Sequence, residues 1–390
     1  MSFSRIQWVL GLTIGIVWTG CKPAMQNDNA GDGEARVITG DKNLLTDPDS
    51  DSGPINPIRI GLLVSKRPEG NDANLAAWQG AELSINNFNK KGGYKGRPVR
   101  LVVRSCDGPW GTGSKQAVNL VYDESVIAVL ASTDGRNAHL VEQVITKTRV
   151  ATVSAWATEV TLTQAFVPWF YRCVPNDLQQ AMVLADSIYR NTKDVKVTVL
   201  YYSDYDSRNA MQTFNKLIEE KGFRHPEQIE FNPDSISADQ VVRKIRRNKA
   251  EIVLIFGSSS MPRNYTGDII GKLKDALIYS NSWGIYDPAL IIRIRKGQYP
   301  VNFIAPDISS NEAGIKFRED FRNDYGYFPD APATYAYDGM NILLQSLLIS
   351  GPDRQKIRDC LATIHYIQGV SGEIRFDEHG NLRDLPRIIR

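Results

Sequence analysis

Between residues 58 and 390 the order of apolar and polar positions predicts strands and helices in steady alternation. Residues 59–64 are an apolar run of strand length. Residues 74–90 follow as a helix, with Leu75, Trp78, Ala81, Ile85 and Phe88 on one side and Gly92 and Gly93 ending it. A strand at 100–105, a helix near 114–123, a strand at 126–131, a helix near 137–147 and a strand at 150–154 continue the series. After a break near Pro175 the pattern restarts with a strand at 195–202, helices at 209–221 and 238–248, a strand at 252–256, a helical stretch at 268–274 and a short strand at 277–279. A short strand near 302–305 then precedes helices at 313–325, 334–349 and 353–363, and a last extended stretch covers 372–376.

Strands that alternate with helices pair in parallel. Their unbroken Val, Ile and Leu runs match strands covered by helices on both faces. The expected fold class is therefore α/β, with two doubly wound parallel-sheet lobes, since residues 58–390 exceed one small core and sit at the usual prior for two domains. Ligands of open parallel sheets bind beyond the carboxyl ends of the strands, so two such lobes face each other across a cleft. Hinge closure around a ligand is the behaviour of that arrangement.

Ahead of this body, Arg5 precedes an uncharged run from Trp8 to Trp18 that ends in Thr19, Gly20 and Cys21. The layout is that of a signal peptide over residues 1–20, and the run is shorter than the roughly 20 residues of a spanning helix. Gly20 before Cys21 resembles the lipobox of bacterial lipoproteins, departing from it at Trp18, where an aliphatic residue is usual. The resemblance implies that Cys21 is lipidated and holds the protein at a membrane; an ordinary secretory cut is the alternative, and either route exports the chain. Residues 21–57, rich in Asn, Asp, Gly, Ser and Pro, are expected to form a flexible tether.

A net charge of +2 gives no concentrated basic face, and no nucleic-acid partner is expected. The cluster Arg243, Lys244, Arg246, Arg247 and Lys249 interleaves with Val241, Val242 and Ile245 at helical spacing, which reads as a solvated helix face. Beyond Cys21 there are Cys106, Cys173 and Cys360, none in a C-x-x-C spacing, so no metal site is expected. Three thiols in an oxidising compartment allow one disulfide and one buried thiol. Cys106 and Cys173, both near strand ends of one lobe, are the expected pair. His139, His225, His365 and His379 are scattered, Gly108, Gly111 and Gly113 do not have phosphate-loop spacing, and no G-x-S-x-G elbow occurs. Neither catalysis nor a cofactor is expected.

Several segments resemble, in order, the leucine/isoleucine/valine-binding proteins, a type I periplasmic-binding-protein family. The run Ala81 to Asn89 with Gly92-Gly93-Tyr94-Lys95-Gly96-Arg97-Pro98 is similar to that family's first helix and turn. Val153 to Thr158, Phe170 to Asp177, Tyr335 to Met340 and Gly369 to Asn381 match its later segments. The resemblance implies two lobes joined by a three-strand hinge, with lobe 1 at 58–175 plus 304–362 and lobe 2 at 176–303 plus 363–390. It also implies a monomer that captures a small molecule for an ABC permease, branched-chain amino acids being the commonest ligands.

Carried over residue by residue, the resemblance implies a ligand site at Asp134, Gly135, Arg136, Trp156, Thr158, Tyr205, Ser259, Ser282 and Trp283. Asp134 and Gly135 stand where the family offers a Ser to the ligand carboxylate, and backbone N–H groups at a helix start bind anions. Arg136 is either a bidentate carboxylate contact or a solvated first-turn residue. Trp156 replaces a small residue and either stacks on the ligand or packs in the core, while Thr158 keeps a hydroxyl. Tyr205 matches an aromatic wall, with a packed or loop tyrosine as the alternative, and Ser259 lies in a Ser-rich loop that ligand-free turns also show. No acid stands near Ser282, where amino-acid binders pair the ligand ammonium. A buried ammonium without a counter-charge is costly, so either Asp134 substitutes or the ligand is not an ordinary amino acid. Trp283 beside Trp156 suits a flat aromatic or apolar ligand. A sensor lipoprotein without a transporter is the other function expected of this fold, and Lys22 after the cysteine leaves inner or outer membrane open.

Overall fold

Five apolar segments of the first part and six of the second become two separate sheets in the computed structural model, which describes residues 41–46, 56–70, 72–191, 194–273, 276–309, 311–364 and 366–390. The expected signal (1–20), the lipidation site Cys21, most of the tether and His365 lie outside the described residues. In chain order the first lobe begins with β1 (Ile58–Val64), α1 (Ala73–Lys90), β2 (Val99–Ser105), α2 (Thr112–Tyr122), β3 (Ala128–Ser132), α3 (Gly135–Thr148), β4 (Ala151–Ser154) and β5 (Phe170–Arg172). The second sheet and its helices follow as α4 (Asp177–Tyr189), β6 (Val197–Tyr202), α5 (Tyr205–Glu220), β7 (Glu227–Phe231), α6 (Ala238–Asn248), β8 (Ile252–Phe256), α7 (Tyr265–Lys272), β9 (Leu277–Ser280), α8 (Pro288–Arg295) and β10 (Val301–Ile304). The chain ends with α9 (Glu312–Tyr325), α10 (Ala331–Ser350), α11 (Arg354–Thr363), the hairpin β11 (Ile367–Gly369) and β12 (Gly372–Ile374), and β13 (Ile388–Ile389).

The first sheet runs β2-β1-β3-β4-β5 and is parallel throughout, with Leu62 opposite both Val103 and Leu130. The second runs β13-β10-β9-β8-β6-β7 and is parallel except where β13 meets β10. The fold is α/β with two parallel-sheet lobes, as the alternation predicts. The chain passes between the sheets after β5, after β10 and again on the way to β13.

Helix α10 is buried almost all round, including Ala333, Ala336, Met340, Leu343 and Leu347, as expected of a core helix. It lies so close to α1 that a Cβ on Gly80 would stand 2.1 Å from the Ala333 carbonyl oxygen. Asp72 caps α1 by accepting from the Leu75 N–H at 2.8 Å, and Asp330 caps α10 by accepting from Ala333 at 2.9 Å. Both caps therefore sit at the same end of the helix pair, near the cleft.

Helix α4, strand β7 and helix α8 are among the elements with no counterpart in the sequence pattern, as are the short strands β5, β11 and β13. Helix α4 carries apolar and polar residues without a clean stripe, yet Asn176 and Gln179 form a capping box at its start. Strand β7 is an edge strand with only Ile229 and Phe231 buried, and α8 packs Leu290 and Ile294 in a single short stretch rich in β-branched residues.

The expected disulfide does not form: Cys106, Cys173 and Cys360 are all free and buried. Cys106 follows β2 and Cys173 follows β5, the two opposite edges of the first sheet. Four strand spacings separate those edges by about 19 Å, whereas a disulfide tolerates a Cα separation of only about 7 Å. The two thiols also lie in different apolar clusters, Cys106 with Ala117 and Val141, Cys173 with Met340 and Tyr335.

Within the stretch expected as tether, residues 41–46 lie along β2. The Leu45 N–H donates to Val103 O and the Ser105 N–H to Asn43 O, each at 2.9 Å. Leu44 and Leu45 are buried, and Asp41 joins Glu124 in neutralising the buried Arg104, at 2.8 and 2.7 Å. Two leucines in a polar run account for the docking.

Candidate functional site

Loops from the carboxyl ends of both sheets meet between the lobes. Those after β1, β3 and β4 bring Ser65, Asp134 and Trp156, and those after β6, β8 and β9 bring Tyr205, Ser259 and Trp283. Asp134 caps α3 by accepting from the Asn137 N–H at 3.0 Å, and its own N–H donates to Ser65 Oγ at 2.7 Å. Asp204 caps α5 in the same way, from Ser207 at 2.9 Å. The N-termini of α3 and α5 thus face each other across the cleft.

Asp206, in the first turn of α5, crosses that gap. Its two carboxyl oxygens accept from the Gly135 N–H at 3.0 and 3.1 Å, the kind of backbone donor that helix starts offer to anions. Loss of water pushes the Asp206 carboxyl well above the usual carboxylate range, and the charges of Asp134 and Asp204 add to the rise. Gly135 admits this approach because a Cβ there would lie 2.6 Å from Asp206 Oδ1.

Beside this contact the Arg136 guanidinium lies 4.8 Å from the Tyr205 ring centre. The Tyr205 hydroxyl donates to Glu159 Oε1 at 3.0 Å. His139 Nε2 lies 3.2 Å from Glu159 Oε2, and its Nδ1 lies 3.6 Å from Glu142. Hydrogen bonds to Glu142 and Glu159 raise His139 to about 9 against the lowering effect of burial. Burial pushes Glu159 up, but His139 and Thr161 outweigh it, and its carboxyl ends below the ordinary value. Arg172, fully buried in β5, holds this loop by donating to Glu159 O at 2.7 Å and Thr163 Oγ1 at 3.2 Å.

The middle of the cleft is aromatic. Trp156 and Trp283, from opposite lobes, have ring centres 5.7 Å apart, and Tyr335 and Tyr286 stand at 5.9 and 6.3 Å from Trp283. Both tryptophans are buried. Thr158 is also buried, and its carbonyl accepts from the Asp177 N–H at 2.8 Å. Ser282 is fully buried, with its N–H and hydroxyl both donating to Gln180 Oε1 at 2.9 and 3.0 Å.

Open space remains on the far side of Trp156. A cavity of about 400 Å³ is lined from the first lobe by Ser65, Lys66, Glu69, Asp72 and Trp156, and from the second by Ser259, Met261, Arg263 and Tyr286. Arg263 spans the lobes, 2.6 Å from Asp330 and donating to Asp72 O at 2.9 Å. A larger cavity of about 630 Å³ lies among the segments where the chain passes between the sheets, with Pro175, Asn311 and Arg375 on its walls.

The structure thus splits the residues expected to touch a ligand. Asp134, Gly135, Arg136 and Tyr205 gather at one rim, where Asp206 joins them. Trp156 and Ser259 line the cavity, while Thr158, Ser282 and Trp283 are packed against protein groups. Asp206, Glu159, Lys66 and Arg263 have no place in the sequence reading; Lys66 and Arg263 follow the carboxyl ends of β1 and β8, the signal that marks such loops. Among the described residues no cluster of three or more His, Cys, Asp or Glu is placed to hold a metal ion.

A family model described as periplasmic binding protein matches residues 57–384. Leu/Ile/Val-binding protein homolog 3 of Brucella melitensis is 29% identical over 179 residues, 46% of this chain and 48% of that protein, so the match spans about half of that relative's length. An amino acid binding protein of Pseudomonas aeruginosa is 22% identical over 325 residues, covering 80% of this chain and 84% of its own. Among solved structures, the substrate binding protein LivJ of Streptococcus pneumoniae in complex with isoleucine superposes with a TM-score of 0.69 at 19% identity, covering 84% of this chain and 94% of that one. A solute binding protein of R. palustris in complex with benzoate gives 0.71 at 14% identity, covering 84% and 91%.

Proposed function

As a member of the periplasmic binding protein family, the chain, we propose, captures a small solute in its interlobe cleft outside the cytoplasm and delivers it to an ABC importer. The observation that carries this reading is the cavity of about 400 Å³ walled by loops from both lobes, since a solute held there favours the closed form over the open one. The solute class we propose is an amino acid or related carboxylate, including aromatic acids and amides. Isoleucine and benzoate, held by the two structural neighbours above, bracket that range. The aromatic pair Trp156 and Trp283 in the middle of the cleft supports the flat end of it.

The same proposal includes export by residues 1–20, a lipid anchor on Cys21, a monomeric state and lobe boundaries near residues 175, 304 and 363. A thermal-shift screen of the protein with amino acids, aromatic acids and their amides tests the solute reading. A binder raises stability by RT ln(1 + [L]/Kd), about 2.7 kcal/mol at a hundredfold excess over Kd. A flat response across the panel would sink it. Copurification of a permease with the membrane-held chain separates transport from sensing.

A further inference from the structure

We infer that the solute is held by its carboxylate in the cavity between the β1–α1 and β8–α7 loops, because Asp206 already fills the anion seat at the start of α3. This rests on the solute-capture reading above and adds where, and by which group, the solute is held. At α3 the Gly135 N–H is committed to both Asp206 oxygens, at 3.0 and 3.1 Å. The surroundings repel a second anion: Asp134 and Asp204 cap the two facing helices, and Glu159 stands beside Gly135. Arg136 is engaged with the Tyr205 ring and His139 with Glu142 and Glu159.

The neighbouring cavity has the opposite character. Trp156, 2% exposed, has a buried indole Nε1–H with no hydrogen-bond partner, and Ser259, 6% exposed, has a buried hydroxyl in the same condition. Arg263 Nε, a third buried donor, is also without a partner. All three residues line this cavity, together with Lys66. Indole and guanidinium N–H groups only donate, and a buried donor left without an acceptor is unfavourable. An acceptor is therefore what this cavity lacks, and Lys66 adds the charge that favours an anionic one. Trp156 comes from the first lobe and Ser259 and Arg263 from the second, so one carboxylate bonded to them ties the lobes together.

Acids are present as well, with different tasks. Asp72 is held as the α1 cap, while Glu69 is exposed on the cavity's edge. An α-ammonium placed beside the carboxylate would meet Glu69, which supplies the counter-charge absent around Ser282.

Calorimetry on the full chain with leucine, phenylalanine, benzoate and benzamide tests the inference through Trp156→Phe, which keeps an aromatic ring against Trp283 and removes the N–H. Hydrogen bonds to charged groups are worth about 1.5–3 kcal/mol, so the tightest carboxylate should bind Trp156→Phe roughly 10–100-fold more weakly. Ser259→Ala should act in the same direction and carries the test should Trp156→Phe melt early. In parallel, the bound carboxylate should move the Trp156 indole N–H resonance, identified by its loss in Trp156→Phe, and leave the Gly135 amide in place. Equal affinity of a carboxylate for the protein and both variants, with a displaced Gly135 amide, would overturn the inference while leaving solute capture intact. Tighter binding of benzamide than of benzoate would also overturn it. Failure of all four probes would overturn the capture reading itself.

Discussion

Gly135 and Asp206 stand 71 positions apart in the chain and touch across the cleft, so the contact tests how single residues hold the lobes. In Gly135→Ala the new methyl would meet Asp206 Oδ1 at 2.6 Å and Glu159 Oε2 at 3.0 Å. Both are ends of side chains and give way, at the expense of the hydrogen bonds they make. We expect the variant to fold, to lose about 1–3 kcal/mol in urea unfolding, and to show a larger radius of gyration by small-angle scattering. An unchanged radius would mean that Asp206 does not hold the lobes together. The sequence points to Asp134 and Gly135, because a cap before a helix after a strand is a local signal. It carries no such sign for Asp206, whose role depends on a helix in the other lobe.

Among the elements, α1 and α10 illustrate packing that pattern alone does not disclose. The apolar spacing of both helices is readable, but their distance apart is set by Gly80 facing Ala333 O. A methyl there clashes with rigid backbone, not with a movable side-chain end. Gly80→Ala should therefore cost about 1–3 kcal/mol, seen as a lower urea midpoint with an unchanged slope, although Ala is the better helix former; no loss would disprove the close approach. The longer elements missing from the sequence pattern each have a physical cause. Strand β7 sits at a sheet edge with charged residues outward, α8 is too short for a helical period to show, and α4 buries Asp177 and Gln180 along with its apolar residues. Buried polar groups of that kind blur the contrast on which periodicity relies. The leucines at 44 and 45 were likewise diluted by their polar neighbours, and their docking on β2 depends on a buried Arg104 that needs Asp41.

At the scale of the whole molecule Asp177, Asp338 and His139 act in one direction. Burial raises Asp177 to about 7 and Asp338 to about 6, and His139 rises from 6.5 to about 9 through its glutamate partners. Each of these groups binds its proton more tightly when folded. Stability therefore falls as the pH rises, between about 4 and 7 for the two aspartates and between 6.5 and 9 for His139. The melting temperature should be highest near pH 4 and lower by several degrees at pH 9, and His139→Gln should flatten the part above pH 6.5. His139 is partly exposed, so its share is about 1–2 kcal/mol after solvent screening. A melting temperature that rises from pH 6.5 to 9 would contradict this ion-pair account. The alternation of strand and helix, and with it two parallel-sheet lobes, was determined by the sequence alone, because residues adjacent in the chain decide hydrophobic period and parallel pairing; their periplasmic-binding-protein kind was legible only through the resemblance of ordered segments to that family. The tertiary structure decided which cleft residues are free for a solute: Thr158 and Ser282 meet protein partners, Asp206 takes the start of α3, and Trp156 and Ser259, which line the cavity, keep buried donors without partners. It also kept Cys106 and Cys173 apart on opposite sheet edges. Such facts depend on distances between residues far apart in the chain, which no local pattern encodes.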